Sequence, residues 1–164
     1  MRHYLPLLAI CFATAIATPA LAQTSANNDI CAADNDSAFS PEQRVAACTA
    51  VIADAKDAPQ ALSAALVNRG NASWYINKTK TAFADFDRAI ALDPKNARAF
   101  RERSNAFRSV GRLDRALADA NEAVRLDPTD AKAFDNRGNV FNNNRQYDRA
   151  IADYGEAVRL DPKF

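Results

Sequence analysis

The sequence predicts an all-α protein in which pairs of helices stack into a solenoid. The first observation is an internal repeat with a period of thirty-four residues, marked by Leu-Asp-Pro at 92–94, 126–128 and 160–162. The second is that each repeat contains two runs of small and apolar residues at helical spacing, separated by a short break. A fixed period of this length is typical of repeat architectures, in which each unit packs against its neighbours.

Each repeat is predicted to form a helix–turn–helix. In the middle copy, Phe100, Ser104 and Phe107 share one face of a first helix, which ends at Gly111. A second apolar run follows, and Pro128 ends it because proline disfavours helix in the residue before it. The repeats span 63–96, 97–130 and 131–164, with helices expected at 62–75 and 81–92, 97–110 and 113–126, and 131–143 and 147–160.

These repeats resemble the tetratricopeptide repeat family, whose pattern is W-x2-L-G-x2-Y, then A-x3-F, then a closing proline. The first part reads Leu66-x2-Arg69-Gly70-x2-Ser73, Phe100-x2-Arg103-Ser104-x2-Phe107 and Phe134-x2-Arg137-Gly138-x2-Phe141. The family alanine of the second part stands at Ala82, Ala116 and Ala150. The resemblance covers Ser63–Phe164, and it implies a right-handed α-solenoid that acts as a protein-interaction module or scaffold.

The sequence departs from the family pattern at a few positions. Arg69, Arg103 and Arg137 stand where the pattern has leucine. An arginine can lay its stem on apolar surface and keep its head in water, so we expect the fold to tolerate them. Ser73 and Ala120 are smaller than the pattern asks, which leaves the local packing open.

Residues 1–22 are predicted to be a secretory signal peptide. Arg2 supplies the positive start, Leu5–Ala17 forms a short apolar core, and Ala20-Leu21-Ala22 is a small-residue cleavage site. The apolar run is shorter than the ~20 residues that a membrane-spanning helix needs. We therefore expect a bacterial periplasmic or secreted protein without stable membrane insertion after signal cleavage.

Residues 23–62 are interpreted as an acidic lead segment followed by an N-terminal capping helix. Gln23–Ser37 is polar and acidic, and we expect it to be irregular or disordered at its start. The helix is predicted to begin at Pro41, after the N-cap Ser40, and to run to about Ala55. It resembles the second helix of a degenerate repeat whose first helix is missing.

Two cysteines, Cys31 and Cys48, remain after removal of the signal. Outside the cytoplasm a pair favours a disulfide bond, which would pin the lead segment to the capping helix and stabilise the fold by ~3 kcal/mol. The alternative is two unpaired thiols. A redox-active pair is disfavoured because the C-x-x-C motif is absent.

Composition excludes several classes of function. The only histidine, His3, lies in the predicted signal, so the mature chain has no histidine metal site and no histidine-based catalytic triad. The sequence contains no P-loop, Rossmann glycine pattern or paired-cysteine zinc pattern. Loss of Arg2 takes the net charge from +1 to zero, which is not the basic footprint of a nucleic-acid binder. We expect no enzyme activity, no catalytic residues, no cofactor and no metal.

The family resemblance implies that the first helix of each pair lines a concave groove that holds a peptide. Arginine and amide donors along one face suit carboxylates and peptide backbone, so we expect a protein or peptide partner, acidic or bound by its C-terminus. The candidate partner-binding residues are Asn71 and Trp74 in the first repeat, Arg98, Arg101, Asn105 and Arg108 in the second, and Lys132, Asn136 and Asn139 in the third.

Some chaperone-binding members of the family use a carboxylate clamp, and Arg101, Asn105 and Asn136 resemble three of its positions. The remaining basic pair would belong to a further repeat, so a chaperone-tail function is not implied. Two alternatives stay open. The candidate residues could be ordinary solvated positions, or the acidic lead, with net charge −4 over 23–62, could lie along its own repeats, with net charge +4.

The aromatic pair near the end of the first helix of the first repeat and the apolar residues of the last helix can each be interpreted in two ways. Trp74 and Tyr75 are expected either to pack at a repeat junction or to form a binding hot spot. The last predicted helix, with Val158 and Leu160, has no further helix to cover it, although terminal repeats normally need a polar outer face. The alternative function is therefore an oligomerising structural or assembly factor that acts through this C-terminal helix as a homo-oligomer.

Overall fold

A computed structural model describes residues 19–33, 38–55 and 58–163 of the protein. Within these ranges the regular structure consists of eight α-helices, which confirms the all-α prediction. Residues 1–18, which hold most of the predicted signal peptide, lie outside the described residues. The helices are α1 (Pro19–Ala32), α2 (Pro41–Asp54), α3 (Pro59–Tyr75), α4 (Thr79–Leu92), α5 (Ala97–Ser109), α6 (Leu113–Leu126), α7 (Ala131–Asn143) and α8 (Tyr147–Leu160).

Helices α3 to α8 form the three predicted helical pairs, which stack into a solenoid. The bounds of α6, α7 and α8 are those expected from the sequence. Helix α3 begins three residues earlier than expected because Pro59 suits the first helical turn, where its missing N–H is no loss. Helix α4 begins two residues early, at Thr79, and α5 ends one residue early, at Ser109.

The turn inside each pair repeats the same left-handed backbone. The residue with positive φ is Asn77 (59°), Gly111 (75°) and Arg145 (60°) in successive repeats. In each turn the next N–H donates 2.9 Å back to a carbonyl in the last turn of the first helix, as in a Schellman motif. The sequence marked this turn clearly only at Gly111, because glycine adopts positive φ without the steric cost that asparagine and arginine bear.

The expectation that the lead segment is irregular at its start is wrong, because residues Pro19–Ala32 form helix α1. Helix α1 packs against α2 and also touches α3, so it supplies the first helix that the sequence suggested was missing. No helical period marks it in the sequence: among the side chains of residues 23–32, whose burial the structure describes, Ile30 and Cys31 are the ones that join the core. The predicted cleavage point after Ala22 lies within α1, and cleavage itself remains a prediction.

The structure joins Cys31 of α1 to Cys48 of α2 in the expected disulfide, with the two Cα atoms 4.7 Å apart. Both cysteines are buried and form a small core cluster with Ala47 and Ala65.

Helix α2 begins with the predicted capping box. The Gln43 N–H donates to Ser40 Oγ at 3.3 Å, and the Ser40 N–H donates to Gln43 Oε1 at 2.8 Å.

Small residues let the two helices of each repeat approach closely. Gly70 of α3 lies against Phe86 of α4, where a Cβ atom would come within 2.6 Å of the ring. In the middle repeat Ser104 replaces this glycine, and Ala120 replaces the opposing aromatic ring, so the serine fits. The Ser104 hydroxyl donates to the Ala116 carbonyl at 2.8 Å. The small Ala120 noted in the sequence is therefore the counterpart of a larger residue on the facing helix.

The three arginines that replace the family leucine form a ladder of ion pairs. The expectation that their guanidinium groups stay in water is wrong. Each group instead holds a buried aspartate of the second helix through two parallel hydrogen bonds. The pairs are Arg69–Asp85 (2.8 and 2.6 Å), Arg103–Asp119 (2.7 and 2.8 Å) and Arg137–Asp153 (2.7 and 2.7 Å).

Each ladder arginine also reaches the preceding helical pair with a third N–H. The acceptors are Thr49 Oγ1 at 3.3 Å from Arg69, Asp87 Oδ1 at 2.7 Å from Arg103, and Asn121 Oδ1 at 3.4 Å from Arg137. The arginine ladder thus joins the two helices of one repeat and also ties neighbouring repeats together.

None of the helices in the described ranges is long and apolar enough to cross a bilayer.

Candidate functional site

The first helices of the repeats, α3, α5 and α7, line a concave groove of about 620 Å³. Eight of the nine predicted partner-binding residues line it. The exception, Trp74, lines an adjoining pocket of about 200 Å³, which shares Asn71, Glu102, Asn105 and Arg108 with the groove. The groove residues are Ala32, Arg44, Asn71, Arg98, Arg101, Glu102, Asn105, Arg108, Lys132, Asp135, Asn136 and Asn139.

Helical spacing explains why these residues meet. On α5, Arg98, Arg101, Asn105 and Arg108 follow one another at steps of three and four, while Ser104 on another face is buried. At the N-terminal end of the groove, α1 contributes Ala32 and α2 contributes Arg44. The sequence missed these two because the lead segment was not expected to pack with α2 as a helical pair.

The groove carries an excess of positive charge. Its lining contains five cationic side chains and the carboxylates of Glu102 and Asp135. A concave surface of one dominant sign concentrates the field and attracts ligands of opposite charge. The five cations are Arg44, Arg98, Arg101, Arg108 and Lys132.

Arg101 is already engaged within the protein. One of its nitrogens donates to Glu102 at 3.0 Å and another forms a short ion pair with Asp130, the N-cap of α7. Burial lowers the pKa of Arg101, but the charges and hydrogen bonds of Glu102 and Asp130 outweigh it, so the pKa is raised overall. Only 13% of its side chain is exposed. Arg101 therefore holds α5 against the start of α7, and a ligand carboxylate would have to compete with two internal ones.

Arg98 and Arg108 are more available cations. Arg98 lies 3.9 Å from Glu102 and its side chain is 46% exposed. Burial lowers the pKa of Arg98, and the positive charge of nearby Arg101 lowers it further. The negative charge of Glu102 opposes this shift without reversing it. Arg108 donates to Asn105 Oδ1 at 3.0 Å, and its buried Nε has no hydrogen-bond partner among the described residues. An anionic ligand would compensate both guanidinium groups.

Asn136 is the least satisfied polar side chain of the groove. It is 3% exposed, and neither Nδ2 nor Oδ1 has a hydrogen-bond partner within the described part of the chain. Buried polar groups are normally paired, and leaving a buried donor and acceptor unpaired is unfavourable. An amide with both functions open matches a peptide group, which also offers one donor and one acceptor.

A short hydrogen-bonded chain lies beside Asn136. Tyr154 of α8 donates to Asn139 Oδ1 at 3.0 Å, and Asn139 donates to Asp135 Oδ2 at 2.9 Å. Burial raises the pKa of Asp135, while the Asn139 hydrogen bond and the charge of Arg108 oppose that shift. Asn139 is therefore fixed by internal bonds, and the acidic Asp135 offsets part of the positive charge.

The two aromatic residues near the end of α3 behave differently. Trp74 packs edge-on against Phe83 with ring centroids 6.1 Å apart, which is the core-packing interpretation, and it also lines the small pocket. Tyr75 is 58% exposed beside it. The aspartates of the acidic lead, Asp34 and Asp36, lie outside the described residues, so their place relative to the groove stays a prediction.

Glu102 is the groove residue that the sequence could have identified. It stands four residues after Arg98 and three before Asn105 on α5, the spacing that places side chains on one helical face. The state of Arg101 could not be found in the same way, because its partner Asp130 lies outside α5.

Two family models described as tetratricopeptide repeat match the chain, one over residues 67–131 and the other over 131–164. Together they span more than half of the sequence. The chain belongs to the tetratricopeptide repeat family. As a tetratricopeptide repeat protein it is a protein-interaction module, with a right-handed α-solenoid as its scaffold. No curated protein sequence matches the chain.

Several solved tetratricopeptide repeat structures share the fold. MamA from Desulfovibrio magneticus RS-1 is 21% identical, with 87% of this chain and 77% of that chain covered and a TM-score of 0.64. The Arabidopsis OM64 domain is 26% identical, with 65% and 88% covered and a TM-score of 0.60.

A TPR domain of RPAP3 (Spaghetti), bound to the HSP90 peptide SRMEEVD, is 24% identical, with 62% and 81% covered and a TM-score of 0.59. Another MamA crystal structure is 20% identical with a TM-score of 0.60, and there the match covers 75% of this chain but only 65% of the other.

Proposed function

We propose that the groove binds an acidic segment of a partner protein, or its C-terminal carboxylate, in the periplasm or outside the cell. The observation that carries this proposal is the buried, unpaired Asn136 in a groove whose charge is predominantly positive. Binding involves no chemical step. The protein would act by presenting a rigid concave surface.

The groove offers two kinds of contact. Asn136 would pair with one peptide group of the ligand, which would satisfy its open donor and acceptor. Arg98 and Arg108 would hold carboxylates through charge-assisted hydrogen bonds. The peptide seen with the related RPAP3 domain, SRMEEVD, carries three acidic side chains, which supports an anionic ligand.

The experiment uses two synthetic heptapeptide libraries, one rich in Asp and Glu and one neutral, each with free or amidated C-termini. We expect the protein to retain the acidic peptides, and Arg98→Ala or Asn136→Ala to weaken binding by about 10-fold, roughly the loss of one charged or buried hydrogen bond. Retention should also fall with added salt. If the protein binds peptides with a free C-terminus but not the same peptides with an amidated C-terminus, the C-terminal carboxylate is the group that is recognised.

The matched control is Arg125→Ala, which removes an exposed arginine of α6 that does not line the groove. It should bind as the unchanged protein does. Equal retention of the two libraries, or unchanged binding by the Arg98 and Asn136 variants, would overturn the proposal. Circular dichroism must first show that each variant is folded.

The proposed location rests on the signal-like residues 1–22 and on the disulfide, which persists in oxidising compartments. Fractionation of a bacterial host and N-terminal sequencing test it. A periplasmic or secreted product that begins at Gln23 is expected. A product that stays in the cytoplasm and retains its first residues would contradict it.

A structural or assembly factor is the second candidate function. It is favoured by Tyr147, Ile151 and Val158, large apolar side chains that α8 leaves exposed. A partner retained by the isolated monomer would favour the groove module. Activity found only in an oligomer would favour the assembly factor.

A further inference from the structure

Helix α8 carries an apolar stripe on its outer face. Tyr147, Ile151 and Val158 are 56%, 68% and 53% exposed, and Gly155 lies between them. Steps of four, four and three place these residues along one side of the helix. They are half of the large hydrophobic residues exposed in the described part of the chain.

In the two preceding repeats, the helix that follows covers the position equivalent to Ile151. One repeat earlier, Leu117 of α6 packs on a core cluster that includes Val140 of α7. One repeat before that, Phe83 of α4 packs against Phe107 of α5, with ring centroids 4.9 Å apart. Ile151 occupies the same register as Leu117 and Phe83, but it remains largely exposed.

A further repeat of the same design would fit this face poorly. Asp87 and Asn121 accept the third N–H of the ladder arginine in the following repeat. The residue at that register in α8 is Gly155, which has no side chain to accept it. A Cβ atom at Gly155 would meet nothing within 4 Å, so another helix can approach closely there.

The charged residues beside the stripe are arranged so that two antiparallel copies of α8 would place opposite charges next to each other. Asp148 lies near the start of α8 and Arg159 near its end, and eleven residues, about three turns, separate them on one side. An antiparallel second α8 would bring Asp148 opposite Arg159 twice. A parallel one would bring like charges together. Arg159 pairs with Glu156 of its own helix but is 65% exposed, so it can also reach outward.

We propose that α8 pairs antiparallel with α8 of a second copy of this chain across a two-fold axis. Ile151 would lie against Gly155 of the partner subunit, and the self-complementary charges would fix the register. Such isologous contacts are the common form of homodimer. The outer face of α8 does not line the groove, so the pairing is independent of the peptide ligand proposed for α3, α5 and α7.

Sedimentation equilibrium of the purified protein tests the pairing. We expect a concentration-dependent monomer–dimer equilibrium, and we expect Ile151→Glu to raise the dimer dissociation constant by at least about 10-fold, because it would bury an unpaired charge. The matched control is Val110→Glu, since Val110 is 44% exposed but lies in the turn between α5 and α6. It should leave the dissociation constant unchanged.

Charge reversal tests the antiparallel register. Asp148→Arg should weaken the dimer by placing a second positive charge opposite Arg159, and the double variant Asp148→Arg/Arg159→Asp should restore it. A monomer at every concentration would overturn the proposal. So would equal weakening by the Val110 control, or a double variant no tighter than Asp148→Arg alone.

Discussion

Arg103 of α5 holds Asp119 of α6 through two parallel hydrogen bonds of 2.7 and 2.8 Å. Asp119 is 7% exposed, and Arg103 is the cation with which its carboxylate forms an ion pair. The same arginine donates to Asp87 of the preceding repeat at 2.7 Å. One side chain therefore stabilises a repeat internally and couples it to its neighbour.

The first prediction concerns this pair. Arg103→Leu introduces the residue of the family pattern, yet it removes the guanidinium group that pairs with the buried carboxylate of Asp119. We expect the free energy of unfolding to fall by about 2 to 4 kcal/mol. Urea unfolding followed by circular dichroism measures it.

Two further variants make that result specific. Arg103→Leu/Asp119→Leu should recover most of the loss, because apolar residues often replace a buried ion pair without net cost. Arg125→Ala breaks an exposed pair with Glu122 and should have no measurable effect. If Arg103→Leu were as harmless as Arg125→Ala, the ladder would contribute nothing to stability.

The arginine ladder shows what helical periodicity leaves undetermined. Comparison with the family pattern identified Arg69, Arg103 and Arg137 as departures from it, but their partners were not assigned. An aspartate does recur sixteen residues after each arginine, so the signal was present. Helical spacing determines which face a residue lies on, whereas pairing between two helices depends on how they pack, which spacing alone does not give.

The second prediction concerns close packing at Gly70. An added methyl group would lie 2.6 Å from Cε1 of Phe86, which is 1% exposed and has no room to move. Gly70→Ala should therefore lower the free energy of unfolding by about 1 to 3 kcal/mol, despite the better helix propensity of alanine. Thermal unfolding by circular dichroism measures the change.

Gly155→Ala is the matched control for that substitution. Gly155 also lies within a helix, but a Cβ atom there would meet nothing within 4 Å. In dilute solution, where the monomer prevails, this variant should be more stable than the unchanged protein by about 0.5 to 1 kcal/mol. Stabilisation by Gly70→Ala as well would show that the contact with Phe86 is not tight.

The third prediction concerns the disulfide. Removing it with Cys31→Ala should lower the free energy of unfolding by about 3 kcal/mol, because the bridge closes a sequence separation of 17 residues. Helical content should also fall, since the described core contacts of α1 centre on Cys31 and its neighbour Ile30.

Reduction gives an independent check of the same bond. A reducing agent should destabilise the native protein by a similar amount and leave Cys31→Ala unaffected. Alkylation of both thiols in the untreated, folded protein would instead support the alternative of unpaired cysteines and contradict the bridge.

The family resemblance implied where the groove lies, but its internal chemistry could not be predicted. Steps of three and four along α5 and α7 identified the lining residues because those steps follow directly from helix geometry. The engaged state of Arg101 and the unpaired state of Asn136 depend on distances between helices. Helix α1 was missed for a different reason, since residues 23–29 are small or polar and show no apolar period.

The last prediction concerns Asp135 in the groove. Burial raises the pKa of this carboxyl group above its ordinary value of 3.8, so the folded protein holds the proton more tightly than the unfolded chain does. Ionisation therefore lowers stability as the pH rises from 3.8 through the folded pKa, and this penalty is absent below 3.8. Asp135→Asn should be more stable than the unchanged protein at neutral pH, with the difference vanishing below pH 3.8.

Asp127→Asn is the control with the opposite sign. The hydroxyl and N–H of Thr129 lower the pKa of Asp127, so its ionised form adds stability that is lost as the pH falls through the folded pKa. This variant should be less stable at neutral pH and should approach the unchanged protein in acid. Urea unfolding at the two pH values distinguishes them, and a gain from Asp135→Asn that persisted in acid would show that its cause is not the charge of Asp135.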